Sequence, residues 1–440
     1  MTTPTTLATA SHSPATRRRV AVATLVGTTI EWYDFFIYGT AAGLVFSKVF
    51  FAPAGPQVGL LLSFATVGVS FLFRPLGAFL AGHFGDRIGR RAVLVLTLVL
   101  MGGATALIGL LPTYATAGVL APVLLLLLRI VQGVAAGGEW GGAVLMAVEH
   151  AHPDHRGRAG AFPQLGVPLG MLLASGVTAL VSGVVARGDA FVAWGWRIPF
   201  LLGVVLVAVG FVVRRAVEES PVFEELRSTA RETKVPAARL LKDHWRLVVL
   251  AALVFAGNGA SGYMLTGGYV TSYTTDPDGP VGLDRTPVLL VVAAAAALWG
   301  VFTFLSGALS DRIGRRTTYL LGYAALLVAV FPLMSAAGSG DVGLLFLGLA
   351  AFSVGLGLTY GPQAAWYSEL FPAPVRFSGV ALSYALGSIL GGAFAPTIAQ
   401  ALVQEFGSLH AVGAYLCAVA LVAVGAVLAL GRTRRVALPR

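Results

Sequence analysis

Long apolar runs alternate with short polar loops along the whole chain. Twelve of these runs are long enough to cross a bilayer as helices, which takes about 20 consecutive apolar residues. We expect membrane spans at residues 20–47, 57–80, 92–112, 118–149, 159–185, 192–213, 246–274, 286–309, 317–337, 341–368, 377–404 and 408–431. The pattern therefore predicts an all-α membrane protein with twelve transmembrane helices.

The composition excludes a soluble protein. Of the 440 residues, 57% are hydrophobic and 11% are charged, and the mean hydropathy is +0.82. A soluble domain has about 25% charged residues to solvate its surface. The single cysteine, Cys417, lies in an apolar run, so we predict neither a disulfide framework nor a cysteine-based metal site.

The distribution of basic residues predicts the orientation in the membrane. The net charge is +10, and 24 of the 30 Lys and Arg residues fall in the tails and alternate loops on one side, against three on the other side. Lys and Arg are retained on the cytoplasmic side of a membrane. We therefore expect a cell inner or plasma membrane protein with both termini in the cytoplasm. Its surroundings are the lipid bilayer, and no nucleic-acid partner is expected.

The longest polar stretch divides the chain near its middle. We expect a cytoplasmic tail at 1–19, a six-helix bundle at 20–213, a cytoplasmic central loop at 214–245 with a short amphipathic surface helix, a second six-helix bundle at 246–431, and a tail at 432–440.

A repeated loop indicates that the two bundles arose by duplication. Gly-x-x-x-Asp-Arg-Ile-Gly-Arg-Arg occurs at 82–91, after span two, and at 307–316, after span eight, an offset of 225 residues. A Glu-x6-Arg pair follows spans four and ten at an offset of 220. Duplicated six-span units are typical of secondary transporters, so we predict two pseudo-symmetric bundles.

The repeated residues are predicted to form a cytoplasmic gate. The glycines allow tight turns, the aspartates suit helix starts, and the arginines can pair with the glutamate of the same half. The alternative is that the arginines serve only as positive-inside anchors. The predicted gate residues are Gly82, Asp86, Arg87, Gly89, Arg90, Arg91, Glu149 and Arg156 in the first half, and Gly307, Asp311, Arg312, Gly314, Arg315, Arg316, Glu369 and Arg376 in the second.

Two acids in the middle of span one are candidates for proton coupling. Glu31, Asp34 and Tyr38 lie on one helical stripe. An acid at the centre of a span costs roughly 2.5–3.5 kcal/mol on insertion scales. Such acids must face protein or water, and they can carry a proton. The alternative is a static salt bridge.

Span four adds a buried cation and a further acid. Arg129 and Glu139 are ten residues apart, about 15 Å along a helix, so they cannot pair with each other. We expect Arg129 to pair with Asp34 or with an anionic substrate. Glu139 is a second acid of the coupling site, and Gln132 and Trp140 are candidate substrate contacts.

The second half contains no clear mid-membrane charge. We therefore predict that protons couple through the first half and that the second half shapes the substrate contacts. The predicted substrate residues are Tyr38, Arg129, Gln132, Trp140, Asn258, Tyr263, Tyr360 and Gln363. Glycine pairs in the spans predict close helix packing; they are Gly39 and Gly43, Gly166 and Gly170, and Gly387 and Gly391.

Other chemistry is not expected. His150, His152 and His155 surround a proline in a short loop, which favours a solvated loop over a metal site. The sequence contains no Gly-x-x-x-x-Gly-Lys-Ser/Thr loop for ATP. It offers no nucleophile and base for an enzyme, and no cofactor is predicted.

The repeated loops, with Arg-x-x-Gln-Gly at 129–133, resemble the major facilitator superfamily. Within it, Glu-Trp-Tyr-Asp-Phe at 31–35, Gly-Gly-Glu-Trp-Gly-Gly at 137–142, Trp-Gly-Trp-Arg-Ile-Pro-Phe at 194–200 and Glu-Glu-Ser-Pro at 218–221 resemble the metabolite:proton symporter family. That family includes shikimate, 2-oxoglutarate, citrate and proline/betaine carriers.

The resemblance implies import of a small polar metabolite, driven by protons and working by alternating access, in a protein that is functional as a monomer. A proton-coupled efflux antiporter and a non-transporting sensor on the same scaffold remain alternatives. Residues 166–170 lack the fuller glycine–proline motif of drug/proton antiporters, which disfavours efflux. Organic acids and zwitterions both carry a carboxylate that Arg129 could bind, so the substrate stays open.

Overall fold

The chain folds into helices that follow the predicted spans in order. A computed structural model describes residues 14–88, 90–137, 139–149, 151–215, 236–266, 268–372 and 375–431. These described segments contain no β-strand. The prediction of an all-α protein with two six-helix halves is confirmed.

The first half holds spans one to six, and each span consists of one or more helical segments. They are Pro14–Ala41 with the π-helix Ala42–Phe46 and Ser47–Val49; Gly55–Ile88; Arg90–Leu110; Leu120–Ala136 and Glu139–Glu149; Arg156–Gln164, Gly166–Leu180 and the π-helix Val181–Val185; and the π-helix Phe191–Gly195 with Arg197–Arg215. Short helical turns at Ala52–Ala54, Tyr114–Ala117 and Pro153–His155 lie in the connections.

The second half holds spans seven to twelve. They are Pro236–Thr266 and Tyr269–Thr275; Arg285–Ile313; Arg315–Gly338; Val342–Tyr360 and Gln363–Leu370; Arg376–Gly387, the π-helix Ser388–Ala393 and Ala395–Phe406; and Leu409–Ala429.

The helices have the length and surface that a bilayer requires. Within the described residues, ten helical runs are long and apolar enough to cross a membrane. Spans one and three complete the twelve; the apolar part of span three is Leu96–Leu110. Large apolar side chains such as Phe79 and Val328 are exposed (66% and 76%). A lipid-facing surface accounts for that exposure.

Three pairs of equivalent spans are interrupted in both halves, whereas span six is interrupted and its counterpart, span twelve, is continuous. Span four breaks between Ala136 and Glu139, and span ten breaks between Tyr360 and Gln363, where Pro362 has no amide hydrogen to continue the ladder. Spans one and seven, and spans five and eleven, are interrupted in the same paired way by π-helical turns or breaks. The matching interruptions support the predicted duplication and place irregular backbone inside the bundle.

Glycines bring helices together at the predicted positions. A Cβ atom on Gly166 would lie 2.5 Å from Thr28 Cβ of span one, and one on Gly391 would collide with the Ala256 carbonyl of span seven. Neither contact leaves room for a side chain. The prediction that these glycines mediate close packing is confirmed, and the same holds for Gly170 and Gly387.

The connection between the halves is described only in part. Span six ends at Arg215 and the next helix begins at Pro236. The predicted amphipathic helix begins at residue 218, outside the described residues. The backbone of His244 is non-helical (φ −131°, ψ 18°), so the helix bends at the predicted boundary between the central loop and span seven.

Candidate functional site

Asp34 is a buried carboxylate in the middle of span one. Its side chain is 2% exposed, and neither of its carboxylate oxygens has a hydrogen-bond partner in the described part of the chain. A Cβ atom on Gly203 of span six would lie 3.5 Å from Asp34 Oδ1 and 3.2 Å from Thr105 Cγ2, so the three residues are neighbours. A carboxylate without a counter-ion is costly to bury, and a bound proton removes that cost.

Glu31 pairs with a basic residue that the sequence reasoning did not select. Arg74 Nη2 of span two lies 3.5 Å from Glu31 Oε1, and both side chains are buried. The Arg74 guanidinium also lies 4.4 Å from the centre of the Phe35 ring and 4.6 Å from that of Phe71. For Glu31 the structure therefore shows the alternative reading, a salt bridge. Asp34 forms no such pair among the described residues.

Arg129 is held by span two instead of by an acid. Its Nη2 donates to Ser70 Oγ (2.6 Å) and to the Val67 carbonyl (3.0 Å), and its Nε donates to the Thr66 carbonyl (3.3 Å). Its guanidinium lies 3.8 Å from the centre of the Tyr38 ring. The expected ion pair with Asp34 is not formed, because oxygens of span two already accept these donors.

A polar chain leads from Arg129 to the neighbourhood of Asp34. Arg129 Nη1 donates to Gln132 Oε1 at 2.9 Å, and Gln132 Nε2 donates to Thr105 Oγ1 at 2.7 Å. Thr105 is the neighbour of Asp34 on span three. The structure therefore gathers the predicted residues of spans one and four around Asp34, within the first half.

Glu139, the second acid predicted for the coupling site, lies on span four. It is buried and is the first residue of the second helical segment of span four. The helix dipole favours a carboxylate at that position.

A small cavity lies between the two halves. Its volume is about 10 Å³, roughly the space of one water molecule. Phe255, Asn258, Trp299 and Tyr360 of the second half line it, with Val167 of the first half. Of the predicted substrate residues, Asn258 and Tyr360 therefore face the cavity. The side chain of Tyr263 lies outside the described residues.

Phe255 and Trp299 are cavity residues that the sequence did not identify. Apolar spans contain many aromatic side chains, and their sequence positions do not distinguish a cavity wall from ordinary packing. Asn258 is fixed by span ten, because its Nδ2 donates to Thr359 Oγ1 (2.7 Å) and to the Leu356 carbonyl (3.2 Å).

A polar and aromatic layer crosses between the halves below the cavity. The rings of Trp140 and Tyr384 are stacked, with centroids 3.7 Å apart and an interplanar angle of 11°. Trp140 Nε1 donates to Gln164 Oε1 at 3.0 Å, and Gln164 Nε2 donates to the Tyr360 carbonyl (3.1 Å) and to Gln363 Oε1 (3.3 Å). Trp140 and Gln363 thus lie in the layer that separates the cavity from one end of the bundle.

That end, which we call the motif end, carries the repeated loop at 307–316. Asp311 Oδ1 and Oδ2 accept the backbone amides of Gly157 (2.8 Å) and Arg158 (2.9 Å) at the start of span five. Its carboxylate therefore binds the positive end of a first-half helix. A Cβ atom on Gly307 would lie 2.7 Å from the Gly157 carbonyl, so this glycine lets the two spans approach.

Charged pairs complete the contacts at the motif end. Arg315 binds Glu369 of its own half (3.1 Å), a pairing that the sequence suggested, and it also binds Asp311 (2.7 Å). Glu149 instead pairs across the halves with Arg376, at 3.5 Å. This contact joins spans four and eleven. Pairing of Glu149 with the loop arginines of its own half stays a prediction, because the side chains of Arg87, Arg90 and Arg91 lie outside the described residues.

For the remaining predicted gate residues, the structure gives burial, backbone conformation or nearby charges. Arg156 is close enough to Glu369 and Glu149 to feel their charges. Gly314 turns the chain between spans eight and nine with a φ of +92°, and Arg312 is exposed beside it. Arg316 is half-buried. Gly89, and the side chains of the other first-half loop residues, lie outside the described part; these are Gly82, Asp86, Arg87, Arg90 and Arg91.

The opposite end is closed by small residues of spans one and seven. Ser272 Oγ donates to the Gly43 carbonyl at 2.8 Å. A Cβ atom on Gly268 would lie 2.7 Å from the Gly39 carbonyl. The described residues of the two halves are therefore in contact at both ends of the bundle.

Comparisons with known proteins agree with this architecture. A family model described as Major Facilitator Superfamily matches residues 24–396. An inner membrane metabolite transport protein of Escherichia coli K12 is 42% identical over 419 residues, covering 95% of each chain. The shikimate transporter of the same strain is 36% identical over 422 residues, again covering 95% of each chain.

A zwitterion carrier and a solved structure are also similar. The proline/betaine transporter of Salmonella typhimurium LT2 is 35% identical over 418 residues, covering 92% of this chain and 81% of that protein. A crystal structure of the D-xylose–proton symporter superposes with a TM-score of 0.73 at 20% identity, covering 96% of this chain and 98% of that chain. At that identity the likeness concerns the fold.

Proposed function

The chain belongs to the Major Facilitator Superfamily and is a membrane transporter of that family, and we propose that it imports a small polar metabolite together with protons. Asp34 carries the proposal. It is a buried carboxyl group with no hydrogen-bond partner among the described residues, beside a chain of polar groups that ends on Arg129.

Protonation of Asp34 can change what holds Arg129. When Asp34 is neutral, Arg129 keeps its bonds to the carbonyls of span two. When Asp34 is charged, its attraction for the guanidinium competes with those carbonyls, and the competition is strong because both groups are buried. Loss or gain of one proton therefore changes how spans one, two and four are tied together.

Alternating access requires that the two ends open in turn. In this proposal the contacts of Asp311, Arg315 and the Glu149–Arg376 pair hold the motif end, and the glycine contacts of spans one and seven hold the opposite end. Substrate binds at the cavity between the halves. The bundles at 20–213 and 246–431 move as two bodies, and one monomer carries out the cycle.

We also propose an inner or plasma membrane location with both termini in the cytoplasm. The bias of basic residues supports this orientation. The motif end is then the cytoplasmic end, and the arrangement permits import driven by a proton gradient directed inward.

Uptake into proteoliposomes tests the proposal. We expect an imposed inward proton gradient to drive accumulation of a radiolabelled metabolite by the wild-type chain, with shikimate, 2-oxoglutarate and glycine betaine offered separately. Asp34→Asn should abolish accumulation and keep exchange of labelled for unlabelled substrate, because exchange needs no net proton movement. Asp284→Asn, at an exposed helix start, is the matched control.

Two results would contradict the proposal. Accumulation by Asp34→Asn equal to that of the wild type would remove the coupling role. Accumulation only when the vesicle interior is made acid would identify a proton antiporter, the alternative left open by the sequence.

A further inference from the structure

From the cavity between the halves we infer the charge type of the substrate: a zwitterion with one carboxylate and a substituted ammonium group. This inference rests on the proposed transport function and concerns its substrate site. The cavity of 10 Å³ is too small for a metabolite, so binding requires the halves to separate. The chemistry of the wall indicates what the widened site can bind.

The wall offers aromatic faces. Trp299 and Tyr360 have ring centroids 5.8 Å apart at an angle of 52°, and Phe255 and Tyr360 have centroids 6.4 Å apart at 34°. The three inclined rings form a concave surface. Aromatic faces attract a methylated or ring ammonium, whose weak hydration makes it easy to desolvate.

The wall also offers a hydrogen-bond donor that the protein leaves unused. Trp299 is 2% exposed, and its Nε1–H has no partner among the described residues. A buried indole N–H is normally satisfied. Thr303, one turn further along span eight and not among the residues that line the cavity, also has a buried hydroxyl without a partner in the described chain. A substrate carboxylate would satisfy such donors.

The wall offers no charge. None of the described residues that line the cavity is acidic or basic. The two arginines of the first half that are buried among the described side chains bind elsewhere: Arg74 binds Glu31, and Arg129 binds span two and Gln132. Net anions such as dicarboxylates are bound by cationic side chains. A neutral wall with rings and an N–H donor fits a molecule that carries both charges itself.

The test compares glycine betaine with 3,3-dimethylbutanoate, which keeps its shape and carboxylate but replaces the cation with carbon. We expect labelled glycine betaine to exchange across proteoliposomes without any proton gradient. Unlabelled 3,3-dimethylbutanoate in excess should leave that exchange unchanged. Shikimate and 2-oxoglutarate should not exchange.

Two variants assign the effect to the wall. Trp299→Phe keeps a ring and loses the N–H, and should raise the KM for betaine about tenfold through loss of a hydrogen bond to a charged group. Phe255→Leu removes one aromatic face and should raise it roughly threefold to thirtyfold. Trp196→Phe is the matched control, since Trp196 is also buried with an unpartnered N–H but packs within the first half.

The outcomes separate this inference from the proposed function. Exchange of shikimate or 2-oxoglutarate in place of betaine would overturn the inference, as would equal competition by 3,3-dimethylbutanoate. An unchanged KM in Trp299→Phe together with Phe255→Leu would also overturn it. Betaine exchange that a proton gradient does not drive into accumulation would support the inference and contradict only the proton coupling.

Discussion

Asp311 and Gly157 join the two halves of the molecule through one hydrogen bond, in which a second-half carboxylate accepts a backbone amide in the first turn of a first-half helix at 2.8 Å. The neighbouring amide of Arg158 donates to the other carboxylate oxygen at 2.9 Å. The aspartate of the repeated loop therefore acts on the opposite bundle, at the positive end of its helix dipole.

Neutralising Asp311 is expected to favour opening of the motif end. Asp311→Asn keeps one acceptor oxygen but loses the charge that both amides and Arg315 use, which is worth about 1.5–3 kcal/mol for bonds to a charged group. Spin labels on Asp154→Cys and Ile313→Cys, placed on either side of the contact in a Cys417→Ser background, should report a longer distance. Asp284→Asn, at the other end of span eight, should leave the distance distribution unchanged; an unchanged distribution in Asp311→Asn would contradict the expected role.

The stacked rings of Trp140 and Tyr384 are expected to restrict access from the motif end. An aromatic pair contributes about 0.5–1.5 kcal/mol beyond its buried area, so Trp140→Ala should raise the population of the open state roughly twofold to tenfold. In a Cys417→Ser background, Ala381→Cys provides a thiol in the same interface, next to Gly141. Its rate of labelling by a maleimide in detergent should rise by that factor, and Trp245→Ala, at an exposed position, should not change it.

The two ion pairs at the motif end should differ in strength. Glu149 is 38% exposed in its pair with Arg376, whereas Arg315 and Glu369 are each about 10% exposed. Water screens the first pair, and its coupling energy should lie below about 1 kcal/mol. Double-mutant cycles measured by thermal unfolding in detergent should give the larger coupling for Arg315 with Glu369. A larger coupling for Glu149 with Arg376 would contradict this ranking.

Two glycines in one helix of span five should respond oppositely to substitution. A Cβ atom on Gly170 would lie 2.7 Å from the Tyr33 backbone nitrogen, whereas one on Gly176 would meet no atom within 4 Å. Gly170→Ala should destabilise the protein by about 1–3 kcal/mol because span one has to shift. Gly176→Ala should be neutral or stabilise it by up to about 1 kcal/mol, because alanine favours a helix. Melting temperatures in one detergent give both values, and equal melting temperatures would contradict the close packing.

The order and number of the spans could be predicted because the bilayer imposes one requirement on every helix. Span five, predicted at 159–185, is found at 156–185. The duplication could also be predicted, since each half kept its loop. Both features can be recognised from the sequence pattern alone, without knowing which helices are in contact.

Which side chains meet could not be predicted from spacing alone. Arg74 lies within the predicted span 57–80, but the sequence does not show that span two turns it toward Glu31. The duplicated motifs suggested pairing within each half, and the contact of Glu149 with Arg376 is visible only once spans four and eleven are known to meet. The position of Trp299 at the cavity could not be predicted for a third reason. Nothing in the local sequence distinguishes an aromatic residue that lines a cavity from one that packs in an apolar helix.

The contacts that close the two ends of the bundle differ in chemistry. The two opening steps of the transport cycle should therefore have different energy barriers. The motif end includes the partly exposed ion pair of Glu149 with Arg376, and salt weakens exposed charge interactions as the Debye length falls from about 10 Å at 0.1 M to about 3 Å at 1 M. The contact of Gly43 with Ser272 at the opposite end involves no charge. Raising the ionic strength should therefore accelerate only the step that opens the motif end, so the salt dependence of turnover reveals which of the two openings limits the rate.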